Sequence, residues 1–216
     1  MTSILLVLYE VEARVRLADG QAEEALERAL TLPHAEPKLF ETIAALAVES
    51  PSNNRSLSIR ALKVAIKKHM SADCADLEKC SKCFHSLIQL TLNGSSASDA
   101  ESLEEASVYF IDAINLVEQN VRFGMRKTQF TTVSPQESYP EMQVLWLMTK
   151  AWNNGVGLYR YRGYYTSAGG LKEALKWVEL AMRFLKHLGP TLRQNYSPKM
   201  QQVKEEMLIK MNSQAE

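Results

Sequence analysis

Trp152-Asn153-Asn154-Gly155-Val156-Gly157-Leu158-Tyr159 is the stretch from which the architecture of this chain can be read. Trp152, Val156 and Tyr159 stand three or four residues apart. On a helix of about 3.6 residues per turn they share one face. Further along, Ala174, Val178 and Ala181 keep the same spacing with small side chains. An aromatic ridge followed by a small-residue ridge describes two helices that come close and pack face to face.

Outward from this pair, helical periodicity dominates and no period-2 strand competes with it. The pattern predicts helices over 2–18, 21–32, 36–49, 55–70, 74–92, 101–121, 140–161, 170–188 and 192–212. Breakers fall between them: Asp19-Gly20, Pro33 and Pro37, Ser50-Pro51, Asn93-Gly94 and Gly189-Pro190. Proline lacks the helical N–H and restrains the residue before it, whereas glycine accepts the left-handed turn that ends a helix. Two polar stretches are too long for tight turns and are read as surface loops. Residues 122–138 are expected to be a flexible loop, and 160–170 a second loop with Gly163 and Gly169-Gly170.

Short connections between consecutive helices imply antiparallel neighbours stacked in order. The Trp152 stretch approximates the W-x2-L-G-x2-Y signature of a tetratricopeptide (TPR) helix pair, with Gly155 where leucine is usual. The turn to the second helix is longer than in that pattern. Other pairs, such as 36–49 with 55–70, carry alanine-rich stripes (Ala44, Ala45, Ala47; Ala61, Ala65) without the aromatic signature. The expected fold is all-α: a TPR-like α-solenoid of stacked antiparallel helix pairs, one helical-repeat domain over 1–216. The charged last helix, with Lys199, Lys204, Glu205, Glu206 and Lys210, fits a C-terminal capping helix with one face in water. Apolar Ile4, Leu5 and Leu8 at the opening point to the C-terminal part of a longer protein, packed there on a preceding repeat.

Composition narrows the function. Lys plus Arg and Asp plus Glu are 25 each, so the formal net charge is zero. Phosphate-neutralising domains carry a basic excess, and direct nucleic-acid binding is not expected. No apolar run approaches the roughly 18 residues of a membrane span. Three cysteines, an odd number, do not describe a disulfide framework and fit a reducing compartment.

Catalytic patterns are missing: there is no Gly-rich phosphate loop, no G-x-S-x-G elbow and no H-E-x-x-H. The expectation is a protein that is not an enzyme, with no cofactor. His34, His69, His85 and His187 are scattered and read as surface residues, His187 favouring a helix C-terminus. Cys80-x2-Cys83-x-His85 has zinc-ligand residue types, but the three sit in a helical stripe with Leu87 and Leu90, and Cys74 is far along the helix. Structural zinc wants four converging ligands, so buried structural cysteines and no metal site are expected.

Several blocks resemble the C-terminal region of the meiotic tetratricopeptide crossover-scaffold family. They are the opening Met1-Thr-Ser-Ile-Leu-Leu-Val-Leu-Tyr-Glu, Phe40-Glu-Thr-Ile-Ala-Ala-Leu-Ala and Ser81-Lys-Cys-Phe-His-Ser-Leu. The longest is Tyr139-Pro-Glu-Met-Gln-Val-Leu-Trp-Leu-Met-Thr-Lys-Ala-Trp-Asn-Asn-Gly-Val, with Ala181-Met-Arg-Phe-Leu-Lys-His-Leu following. The resemblance implies a nuclear scaffold on meiotic chromosomes that links crossover complexes to synaptonemal complex assembly. Its implied partners are central-element proteins of that complex and other crossover-complex subunits. In that family an aromatic-asparagine pair docks central-element proteins, and Trp152-Asn153 is the pair that matches.

The residues themselves allow two roles for Trp152: the packed aromatic of the repeat, or an anchor for a partner. Asn153 lies about 100° around the helix from it, off the core stripe, with no packing task. An asparagine can hold a partner backbone by two hydrogen bonds while the indole supplies apolar area. Trp146 is read as core or inter-repeat packing. The alternative function is a generic TPR adaptor outside meiosis, but that role favours a basic carboxylate-holding groove, and no basic row surrounds Trp152.

Overall fold

A computed structural model describes residues 2–17, 21–33, 35–49, 53–71, 75–93, 100–127, 138–160 and 168–213. Among them every regular element is an α-helix: α1 (Thr2–Arg16), α2 (Ala22–Thr31), α3 (Pro37–Val48), α4 (Arg55–Ser71), α5 (Leu77–Asn93), α6 (Ala100–Lys127), α7 (Glu141–Arg160), α8 (Ala168–Leu185) and α9 (Pro190–Ser213). None of the described helices is long and apolar enough to cross a membrane.

Local chemistry explains where the boundaries differ from the periodic reading. α5 opens at Leu77 because Asp76 caps it, its carboxylate accepting the Lys79 backbone N–H at 3.0 Å. Burial pushes the Asp76 carboxyl up, but the Lys79 N–H and ammonium more than offset this and hold it below its usual value. α6 continues to Lys127, into the expected 122–138 loop. Val121-Arg-Phe-Gly-Met-Arg-Lys holds no proline, and one interior glycine costs a helix only about 1 kcal/mol. Residues 128–137 of that loop, 161–167 of the second, Cys74 and His34 lie outside the described residues.

The helices group into two compact units, α1–α5 and most of α6 with α7–α9. In the first, α1 packs against α2 and α3, α3 against α4, α2 against α4, and α4 against α5. Val7, Val11 and Val15 form the buried stripe of α1, four residues apart. Phe40 and Ile43 of α3 and Leu57 of α4 are fully buried, each contributing roughly 1.5–3 kcal/mol by leaving water. Leu5, Leu6 and Tyr9 of α1 are exposed. The α3–α4 turn needs a positive φ at Asn53 (40°), a conformation asparagine tolerates better than most residues. Asn54 then caps α4, accepting the Leu57 N–H at 3.1 Å. Inside, the Ser58 hydroxyl donates to the Ala44 carbonyl at 2.8 Å, so this buried polar group is satisfied.

In the second unit, α7 packs on α8 and α8 on α9. Phe110 of α6 meets two α8 rings edge-on, Trp177 at 5.2 Å and Phe184 at 6.2 Å between centroids. Arg183 of α8 donates to Glu118 of α6 at 3.0 Å, which fixes the register of the two helices. α9 buries only Met200 and Met207 and leaves most of its remaining residues in water. Pro198 sits inside α9, where Gln194, whose carbonyl loses its partner, is exposed to solvent.

Candidate functional site

The closest helix–helix approach around the Trp152 stretch is made by Gly155 of α7. A methyl group built there would stand 2.8 Å from Val178 Cγ2, 3.0 Å from the Ala174 carbonyl oxygen and 3.0 Å from the Val178 nitrogen. Only a residue without a side chain lets α7 sit this near the α8 backbone. The small-residue ridge read from the sequence, Ala174, Val178 and Ala181, is fully buried at this contact.

On one flank of Gly155, Trp152 and Tyr159 pack against a cluster of Leu175 and Val178 of α8 and Met207 of α9. Both rings remain half-buried. The Lys210 ammonium lies over the Tyr159 ring, 4.8 Å from its centroid. Trp152 is therefore held on one side by the unit's own core and open on the other. Asn153 is exposed, and its side chain finds no hydrogen-bond partner among the described residues. One turn on, Gly157 is also exposed, with nothing within 4 Å of where a Cβ would stand. Thr149, Asn153 and Gly157 thus form a bare strip along α7 beside the indole edge. The Thr149 hydroxyl donates to the Leu145 carbonyl at 2.9 Å, so the Asn153 amide is the group of the strip that can both donate to and accept from a partner backbone lying close to the helix.

The neighbouring Asn154 turns inward, and its Nδ2 is buried without a hydrogen-bond partner among the described residues. Trp146 is half-buried, with Lys150 5.9 Å from its ring centroid.

In the first unit, Cys80 and Cys83 are buried free thiols, as expected for structural cysteines. Burial is the main cause that pushes both thiols up to about 12, with nearby carboxylates such as Glu41 adding to it. His85 does not join them. It lies two residues beyond Cys83, about 200° around the helix. Alkylation at pH 8 is expected to leave both thiols unmodified in the folded chain and to label both after denaturation. Rapid labelling of the folded protein at either position, read by mass spectrometry, would contradict their burial.

His69 departs from the expected surface role. It is 4% exposed, and its Nε2 lies 2.5 Å from Glu41 Oε1. The signal was present in the sequence, because His69 follows Ala61 and Ala65 at four-residue steps along the buried face of α4. Glu41, His69 and Cys83 converge, a grouping the sequence reading did not make. His187 is half-buried beyond the end of α8. Burial is the leading cause that lowers its pKa, with Glu118 opposing and Arg183 and Lys186 assisting.

No family model matches the chain, and no solved structure matches it significantly. The class that the fold defines by itself is a chain whose described elements are all helical.

Proposed function

We propose that this chain is a TPR-like helical-repeat scaffold that binds other proteins, with Trp152 and Asn153 as a docking pair. The observation that carries the reading is the half-buried indole fixed on the Leu175–Val178–Met207 cluster beside an exposed Asn153 that has no hydrogen-bond partner among the described residues. An aromatic ring already immobilised by its own core loses little entropy when a partner covers its free edge. The repeat architecture draws support from the first unit. There α1 pairs with α2 and α3 with α4, while α1 also meets α3 and α2 meets α4. That pattern is what two stacked helix hairpins produce.

The resemblance of the sequence blocks gives the reading its biological setting. The scaffold would act in the nucleus on meiotic chromosomes, joining crossover complexes to central-element proteins of the synaptonemal complex, without catalysis and without direct DNA contact. The zero net charge agrees with recognition by shape and hydrogen bonding.

The test uses Asn153→Ala and Trp152→Ala in the full chain, each checked for helicity and melting temperature, against purified central-element proteins. Asn153→Ala is expected to keep the native melting temperature and to lose at least ten-fold in affinity, about 1.4 kcal/mol. Native binding by Asn153→Ala, with Trp152→Ala failing only because it unfolds, would mean that the pair is core and the interface lies elsewhere.

A further inference from the structure

Three helices of the first unit each bring one metal-type donor to a common point. Glu41 comes from α3, His69 from the end of α4 and Cys83 from α5. Their donor atoms all lie within 4.8 Å of one another. Bonds of about 2.0–2.3 Å at tetrahedral angles would set donors roughly 3.3–3.6 Å apart. The Glu41–His69 contact at 2.5 Å must therefore open by about 1 Å, and Cys83, within 4.8 Å of both, must close by at most about 1.5 Å.

The donor set selects the ion. One imidazole, one carboxylate and one thiolate are the mixed nitrogen, oxygen and sulfur ligands of zinc-type metals, whereas magnesium and calcium prefer oxygen alone. Glu41 and Cys83 also line a cavity of about 580 Å³ between α3, α4 and α5, and His69 lies outside that lining. Three protein ligands with one side facing a cavity is the pattern of an open coordination site. Cys80, also buried, does not belong to this cluster.

We infer that Glu41, His69 and Cys83 form a binding site for a zinc-type divalent ion, with its fourth position facing the α3–α4–α5 cavity. Binding forms metal–oxygen, metal–nitrogen and metal–sulfur bonds and breaks the Cys83 S–H bond, its proton leaving to solvent. The fourth position takes water, or a donor from a segment lying in the cavity. The plain alternative is a His69–Glu41 hydrogen bond beside an inert thiol, and it predicts no affinity for metal.

Cobalt(II) separates the two. The chelator-treated full chain, titrated with cobalt, is expected to bind one equivalent. It should develop a thiolate-to-cobalt charge-transfer band with the intense visible bands of tetrahedral geometry, and zinc should displace both. A Cys74→Ala/Cys80→Ala variant leaves Cys83 as the only thiol, and it is expected to keep the band. Glu41→Gln and His69→Gln are expected to weaken cobalt binding at least ten-fold. Zinc, but not magnesium, should raise the melting temperature of the unsubstituted chain, a readout that needs no variant to fold. The inference is overturned if the unsubstituted chain shows no charge-transfer band. It is equally overturned by a natively helical Cys83-only variant without the band, or by a band indifferent to Glu41→Gln.

Discussion

Phe110→Ala is expected to destabilise the second unit by about 3–5 kcal/mol, the range for emptying a buried aromatic site. Phe110 is completely buried, and its neighbours Trp177 and Phe184 are too. The ring removed is the one both others meet edge-on, so two aromatic contacts worth about 0.5–1.5 kcal/mol each go with it. Collapse into the space is resisted because Arg183 on Glu118 holds α6 and α8 in register from the side. Val108, two residues away on the same helix, is 49% exposed, and Val108→Ala should stay within about 0.5 kcal/mol. The unit has a convenient reporter. All three tryptophans of the chain, Trp146, Trp152 and Trp177, lie in it, so urea unfolding followed by indole fluorescence reads this unit selectively. A loss below about 1 kcal/mol for Phe110→Ala would mean that the aromatic cluster is not the unit's core.

That cluster also marks how far periodicity reaches. The spacing of apolar residues is enough to give each helix and its buried stripe, because a 3.6-residue period is a property of neighbours in the chain. The α8 stripe is legible from Leu171 to Phe184 in this way. That Phe110 would meet Trp177 is not, since no local pattern relates residues on α6 and α8. The division into two compact units has the same origin, because it depends on which stripes face each other. Boundaries were lost where a side chain acts as a cap, as at Asp76, or where an expected loop lacks a true breaker, as at Arg122–Lys127.

The candidate sites divide along the same line. Trp152 and Asn153 sit next to each other in sequence, so their different exposures follow from one helix's geometry. Glu41, His69 and Cys83 are contributed by three helices, and a search for ligands in one run finds Cys80, Cys83 and His85 instead. His69 carried a legible clue in its four-residue step from Ala65, an imidazole where the stripe calls for a small apolar residue. Glu41 carried none. It sits in α3 beside buried Phe40 as any half-exposed glutamate might, and only the fold brings it to His69.

Two glycines one half-turn apart on α7 are expected to respond with opposite signs. Gly157→Ala should stabilise the chain by about 0.5–1 kcal/mol, because alanine loses less backbone entropy in a helix. Nothing stands within 4 Å of the new methyl group to oppose it. At Gly155 the same helix propensity is gained, but the methyl group would meet Val178 Cγ2 at 2.8 Å and α8 backbone atoms at 3.0 Å. Valine in a helix has essentially one rotamer, so Cγ2 cannot swing aside, and backbone atoms yield only if the helices part. Overpacking of this kind costs about 1–3 kcal/mol, enough to outweigh the propensity gain. Gly155→Leu restores the residue usual at that place in the repeat signature, yet it should be worse still, about 3 kcal/mol or more. Adding Val178→Ala to Gly155→Ala removes the shortest of the three contacts and should recover part of the loss, a coupling that a double-mutant cycle measures directly. A Gly155→Leu chain as stable as the parent would mean that α7 and α8 do not approach at this point. The stabilising Gly157→Ala change then serves the docking question too. It places a methyl group on the bare strip beside Asn153, so weaker partner binding at higher stability would locate the interface on this face of α7 rather than in the core beneath it.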